Sequence, residues 1–155
     1  MIARYTRKRM ADVWEAENRF RKWLQVEVSA LEGMSKKGLV PAAAVKEVRK
    51  KARFDVARIE ELEKTVKHDV IAFLTNVSEG VGPAARYLHL GMTSSDVLDT
   101  SLAMQLVEAC GILEEDLKAF LEVLKKRAFE HRYTPIIGRT HGMHAEPTTF
   151  GLKLA

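Results

Sequence analysis

Thr93-Ser94-Ser95-Asp96-Val97-Leu98-Asp99-Thr100-Ser101-Leu102-Ala103-Met104-Gln105-Leu106-Val107-Glu108-Ala109-Cys110-Gly111-Ile112-Leu113 opens the longest patterned run of the chain, and its reading decides the fold. Thr93 followed three residues later by Asp96 is a capping-box pattern ahead of an apolar run, so a helix starts here. Its first turn combines open backbone amides, three hydroxyls and a positive dipole end, a ready place for a carboxylate or phosphate. Leu98, Leu102, Leu106, Ala109, Leu113, Leu117, Phe120, Leu124 and Ala128 then step 4-4-3-4-4-3-4-4. That is the eleven-residue repeat of a straight or faintly right-handed rod, which from Ser94 to His131 spans ~57 Å at 1.5 Å per residue. Between Thr100 and Leu113 the only charge is Glu108, so this half is predicted to be buried on every side. The later half is amphipathic, with Glu114/Lys118 and Glu122/Lys126 at i,i+4. Such a rod needs other long helices to cover it, from its own chain or from sister subunits.

Downstream, Thr134-Pro135-Ile136-Ile137 reads as extended and leads into Gly138-Arg139-Thr140-His141-Gly142-Met143-His144-Ala145-Glu146-Pro147-Thr148-Thr149-Phe150-Gly151. Without apolar periodicity this segment is predicted to be a loop held by its neighbours. Gly138 and Gly142 allow left-handed or close-approach backbone, and Pro147 keeps Glu146 out of a helix. A loop on a helical scaffold is where chemistry is presented, and imidazoles such as His141 and His144 suit proton transfer near neutral pH. The plainer alternative is that both histidines cap helices or satisfy buried carbonyls. Thr148 or Thr149 then starts a helix that the sequence follows for barely two turns, so the chain reads as a fragment of a longer one.

Upstream, Val13, Trp14, Phe20, Trp23, Leu24, Val28 and Leu31 predict one amphipathic helix from about Ala11 to Lys37, ended near Gly38. Pro41 opens a second helix running to about Ala52, with a solvated basic face at Lys46, Arg49, Lys50, Lys51 and Arg53. Asp55 caps a third, which places Val56, Ile59, Leu62 and Val66 on one side. It reaches Lys67-His68-Asp69, set against the apolar Val70 to Leu74. This triplet is either the rim of a pocket or a junction that His68 caps, and the chemistry by itself favours the junction. Ser78 to Pro83 is a break, and Ala84 to Leu88 forms a short turn or helix before His89-Leu90-Gly91-Met92. At the start, Arg4, Tyr5, Arg7, Lys8 and Arg9 make either a frayed terminus or an arm whose Arg4 and Tyr5 fold back onto an anion.

The net charge of +4 is the balance of 25 basic and 21 acidic residues spread along the chain. It does not call for nucleic acid, but leaves anionic small molecules as ligands. Cys110 is the single cysteine and forms no internal disulfide, which fits a reducing compartment. No apolar run approaches the ~20 residues of a membrane span, and the first residues do not begin a signal peptide. The expectation is a cytoplasmic, soluble protein.

Three separated segments carry a resemblance to the fumarase/aspartase superfamily of lyases. Gly91 to Thr100 resembles the first signature region of these enzymes, and Gly138 to Gly151 resembles the second. Lys67-His68-Asp69, with Arg4-Tyr5, is similar to the subfamily that handles a nucleotide, the adenylosuccinate lyases. In this order, joined by one uninterrupted helix, the motifs are specific. They cover the whole chain, while the chain covers only the first part of the family's length. The resemblance implies an all-α fold, with an N-terminal helical domain over residues 1–93 and the beginning of a central helix bundle over residues 94–155.

It also implies a β-elimination that splits adenylosuccinate into AMP and fumarate, and acts likewise on succinyl-aminoimidazole carboxamide ribotide, with neither cofactor nor metal. A base takes a proton beside a carboxylate, donors hold the aci-carboxylate dianion, and a general acid protonates the departing nitrogen. By resemblance His141 is that acid, and His68 assists it or binds phosphate. Arg4 and Tyr5 hold phosphate, Thr93 and Ser94 hold a succinyl carboxylate, and Lys67 and Asp69 complete the shell. His89 falls where the family often places a site residue, while His144 is structural. The family's third signature, a Ser-Ser-rich loop followed by Met-Pro and a lysine, supplies the base and does not occur in these 155 residues. Family sites are assembled from three subunits of a homotetramer, so this chain by itself is expected to be catalytically silent. The competing readings are another lyase of the superfamily, such as argininosuccinate lyase, and a non-enzymatic helical module that uses its rod only to oligomerise.

Overall fold

In the computed structural model, which describes residues 2–155, the chain forms two units, Met1–Ala109 and Cys110–Ala155. Met1, at the head of the basic segment, lies outside the described residues.

The first unit begins with a single 3-10 turn, Ala3–Tyr5, followed by α1 (Lys8–Trp14) and α2 (Ala16–Lys36). The sequence pattern predicts one helix here, but Glu15 is extended at φ −67 and ψ 150 and divides it. The apolar stripe crosses the break because both pieces bury the same side. The carbonyl of Val13, freed at the break, accepts from Asn18 Nδ2 at 3.0 Å and from Gln105 Nε2 at 2.7 Å. These side-chain donors offset the lost helical bond. α3 (Ala42–Lys51) follows Pro41 as predicted. α4 (Val56–Val66) is capped by Asp55, whose Oδ1 accepts from the N–H of Arg58 at 2.9 Å. α5 (Asp69–Val81) runs through Ser78 and Gly80, and the predicted break falls instead at Gly82, where φ is +78. A 3-10 turn at Pro83–Tyr87 leads on to α6 (Ser94–Glu130).

The core of this unit is aromatic at its centre. Phe20 meets Trp23 edge-on at 5.0 Å between ring centroids and stacks on Phe73 at 5.8 Å, and Trp23 meets Phe73 edge-on at 5.5 Å. Leu31, Val48, Ile59, Val70, Val77 and Val97 close around them. Offset and edge-on pairs of this kind add ~0.5–1.5 kcal/mol each beyond their buried area.

The 37 residues of α6 correspond to ~55 Å of helix. The stripe that its first half buries is Val97, Ser101, Gln105 and Ala109, of which the first three lie one position before Leu98, Leu102 and Leu106. Two of these are polar and internally satisfied: Ser101 Oγ donates to Leu98 O at 2.9 Å, and Gln105 reaches Val13. Leu102, Leu106 and Val107 remain exposed. Burial on every side therefore does not occur within one chain. Val97 and Leu98 pack on the core at the start of the helix, and beyond them the chain's own helices cover Ser101, Gln105 and Ala109 while Leu102 and Leu106 face away.

The second unit holds the end of α6, the antiparallel strands β1 (Pro135–Thr140) and β2 (Met143–Thr149), and α7 (Phe150–Leu154). Lys118 pairs with Glu114 at 2.6 Å as predicted. The segment read from sequence as a loop is a hairpin. Pro135 to Ile137, read as extended, begin β1, while from Gly138 to Thr149 apolar and polar residues do not alternate regularly, so no pattern announces the rest of the pair. Gly138 lies where the register shifts between Ile137 and Arg139, and a Cβ there would sit 2.9 Å from the carbonyl oxygen of Glu146. The turn is His141-Gly142, with φ of 50 and +73, the double left-handed geometry of a tight hairpin. Thr149 caps α7, its Oγ1 accepting from Leu152 N at 3.3 Å. Gly151 N donates to His131 O at 2.9 Å and Phe150 N to Thr134 O at 2.8 Å, tying the new helix to the end of α6.

The fold is thus helical as expected, with one two-stranded hairpin added. Among the described residues no helix is long and apolar enough to cross a membrane.

Candidate active site

One left-handed residue, Lys67 at φ 55, ends α4 and turns the chain directly into α5. His68 becomes the N-cap of α5, its Nδ1 accepting from Ile71 N at 3.4 Å. Capping engages only one ring nitrogen. The other, Nε2, lies 3.4 Å from Ser94 Oγ, at the first residue of α6. The two readings of this triplet are therefore compatible: the ring caps one helix with Nδ1 and faces the start of another with Nε2. A neutral ring that accepts at Nδ1 carries its proton on Nε2, where it can donate to the serine oxygen or to a ligand. Asp69 Oδ1 stands 3.4 Å from the same Nδ1 and accepts from Val70 N at 2.7 Å. Protonation of the ring would set an ion pair there.

The start of α6 is only half capped by the predicted box. Thr93 N donates to Asp96 Oδ2 at 2.7 Å, and Asp96 N donates to Thr93 O at 3.0 Å. The amides of Ser94 and Ser95 open the helix, with the macrodipole behind them. His68 and Ser94 are thus brought together from two distant segments, with Lys67 and Asp69 next to the first in sequence and Thr93 next to the second. A cation, an imidazole, two hydroxyls and a helix N-terminus are a donor set for a carboxylate or phosphate.

His89 is held differently. It is left-handed, at φ 59, and both oxygens of Glu27 engage it: Oε2 accepts from His89 N at 2.8 Å, and Oε1 lies 2.7 Å from Nδ1. Glu27 is 1% exposed. Sequence reading did not find this carboxylate, although a signal was present. Phe20, Trp23, Glu27 and Leu31 occupy one core-facing stripe of α2, and a charge inside such a stripe demands a partner.

Arg4 and Tyr5 contact each other, the guanidinium lying 4.8 Å from the ring centroid, and both are exposed. Among the described residues no contact links them to Lys67, His68 or Ser94. In the second unit His141 occupies the hairpin turn and His144 stands on β2 opposite Arg139, and both are exposed. No group of three or more His, Cys, Asp or Glu able to hold a metal occurs among the described residues.

The helical fold, the long α6 and the donors gathered at its start define a class, and comparison with known proteins agrees with it. A family model described as lyase matches residues 3–155, and the chain belongs to that lyase family. Within it the chain is similar to adenylosuccinate lyases, at 51% identity to that of Synechocystis sp. and 50% to that of Bacillus subtilis, each over 155 residues. Those alignments take in 100% of this chain and 36% of each relative, so the chain spans about a third of their length. Among solved structures it is similar to a fumarate lyase from Mesorhizobium sp., with a TM-score of 0.88 and 26% identity over 94% of this chain and 35% of that one. It is also similar to the 3-carboxy-cis,cis-muconate lactonizing enzyme of Pseudomonas putida, with a TM-score of 0.85 and 32% identity over 98% and 36% of the two chains.

Proposed function

We propose that these residues form the N-terminal portion of a lyase of purine nucleotide biosynthesis that eliminates fumarate from adenylosuccinate, leaving AMP, and from succinyl-aminoimidazole carboxamide ribotide. The observation that carries the reading is the approach of His68 Nε2 to Ser94 Oγ at 3.4 Å, which supports a single anion-binding centre built from two of the three motifs. Roughly half of all positions are identical to named adenylosuccinate lyases, against 26% and 32% for the fumarate lyase and the muconate lactonizing enzyme, which favours this substrate over theirs.

In the elimination, a base takes the proton on the carbon next to a succinyl carboxylate. The electron pair moves into that carboxylate as an aci-dianion and then forms the C=C bond as the C–N bond breaks. The departing nitrogen receives a proton from the acid. Thr93, Ser94 and the first amides of α6 hold the developing charge, which is where fixed donors accelerate most. Lys67 and Asp69 complete the shell in this reading, with His68 assisting the acid or binding phosphate. His141 is the acid, Arg4 and Tyr5 take the phosphate, and His89 contributes from the turn before α6. The division we propose sets a helical domain over residues 1–93 against a bundle that begins at residue 94. The exposed Leu102, Leu106 and Leu113 of α6 support a homotetramer built on that bundle. The free Cys110 fits the reducing cytoplasm.

Fumarate release tests the proposal. The chain of 155 residues should show none, because the base is missing and losing one member of an acid–base pair costs ~10²–10⁴-fold. A polypeptide extended to the length of the relatives should release fumarate and lose that activity on His141→Ala, while His144→Ala retains part of it. Turnover by the short chain would overturn the placement of the base outside it. Full activity in the long His141→Ala form would overturn the acid. Thermal stabilisation of the long form by arginine but not AMP would favour argininosuccinate as substrate.

A further inference from the structure

Glu27 is a charged group in the centre of an apolar stripe, and the role given to the site does not use it. Burying a carboxylate is unfavourable unless every lone pair finds a donor. Here both oxygens are spent on one residue, His89, one on its backbone N–H at 2.8 Å and one on its ring at 2.7 Å. That residue is itself strained, because at φ 59 its Cβ crowds the backbone more than in the extended or right-handed basins. Gly91 at φ +69 and the bond from Met92 N to His89 O at 3.3 Å complete a tight turn. Thr93 and Ser94 follow it directly. The carboxylate therefore fastens the last rigid point before the start of α6.

We infer that Glu27 is a positioning residue: it locks the His89 imidazole with its proton on Nδ1, leaving Nε2 as the ring atom offered to substrate, and holds the turn that sets Thr93 and Ser94. The part concerning substrate rests on the proposed lyase reading, while the lock itself does not. An ionised carboxylate only accepts, so the ring nitrogen facing it must carry hydrogen. Glu27→Gln keeps the shape but makes one of the two atoms a donor. The backbone N–H cannot change roles, so the amide oxygen stays with it and the NH₂ group turns to Nδ1. The ring must then accept at Nδ1 and move its proton to Nε2, presenting the opposite polarity to a ligand.

The test reads the tautomer first. Ring ¹⁵N shifts of His89 in the 155-residue chain, taken at mildly alkaline pH, should show the Nδ1–H form in wild type and the Nε2–H form in Glu27→Gln. Nε2–H or an even mixture in wild type overturns the lock. In the extended polypeptide, Glu27→Gln should lower kcat/KM for adenylosuccinate by ~10–100-fold, the usual effect of removing an orienting partner behind a site residue. An unchanged kcat/KM in folded protein overturns the positioning role. Should Glu27→Gln fail to fold, Glu27→Asp carries the same readouts, with a mixed tautomer and a smaller loss expected, and unchanged kcat/KM there is equally fatal. Absence of any fumarate release by the extended wild type would sink the lyase reading and leave the tautomer result to decide the lock.

Discussion

Glu108 is the one charge in the apolar half of α6, and its replacement by glutamine should destabilise the first unit in a pH-dependent way. Its carboxylate receives Lys22 Nζ in a very short contact and Asn18 Nδ2 at 3.0 Å. The hydrogen bond from Lys22 holds the Glu108 carboxyl below the ordinary range, against the opposing effect of burial and with help from Asn18. The lysine side chain is 13% exposed and the glutamate 39%, so removing the charge strands the buried partner more than the exposed one. A charge-assisted bond of this kind contributes ~1.5–3 kcal/mol, which partial solvation of Glu108 reduces to about 1–2 kcal/mol. Each kcal/mol moves the melting temperature of a unit this size by roughly 4–8 °C. Because the folded-state pKa is lowered, the stabilisation is present above the unfolded carboxylate value and is lost as pH falls through the folded one. Thermal melts of wild type and Glu108→Gln should thus differ at pH 7 and converge in acid, below the ordinary carboxylate range. Glu114→Gln is the control on the same helix. Its pair with Lys118 is 67% and 73% exposed and should be worth ~0–0.5 kcal/mol. Equal melting of the Glu108→Gln and Glu114→Gln variants at pH 7, or a Glu108 difference that persists in acid, would refute the reasoning.

Leu106 is 48% exposed in the single chain, so Leu106→Glu should change its stability by less than ~0.5 kcal/mol while abolishing self-association in sedimentation. A wild-type chain that sediments as a monomer, or an unchanged mass in the variant, would contradict the exposed leucine stripe as an interface. Gly151→Ala would place a Cβ 2.4 Å from Ala128 O and 2.6 Å from Arg132 Cα. The helix must shift by about 1 Å, at ~2–3 kcal/mol, and the amides of Phe150 and Gly151 should lose hydrogen-exchange protection before the rest of the second unit. Asp55→Ala removes the cap of α4 and should lower stability by ~1 kcal/mol, read as an earlier urea midpoint with an unchanged slope.

The helices were legible wherever one residue carried a local reason. Asp55 caps α4, Pro41 precedes α3, Thr149 caps α7, and the 4-4-3 stepping from Leu98 runs unbroken along α6. The motif residues His68 and Ser94 were also legible as types suited to their chemistry. The extended start of β1 at Pro135 to Ile137 was legible too, but the hairpin was not, because Gly138 to Thr149 show no regular apolar alternation and pair through backbone groups that every residue possesses. The break at Glu15 was hidden for the opposite reason: the apolar stripe continues across it, and of the compensating donors Asn18 is local while Gln105 comes from 92 positions away.

Sequence by itself thus determined the number and placement of most helices, since propensity, capping and periodicity act over one or two turns. Which faces those helices bury was decided by the tertiary structure. Only packing shows that α6 turns Val97, Ser101 and Gln105 inward and leaves Leu102 and Leu106 outside, that His68 and Ser94, 26 positions apart, meet at 3.4 Å, and that Glu27 is spent on His89 from 62 positions away. Contacts across such separations depend on where the intervening chain lies in space, and no local pattern records that.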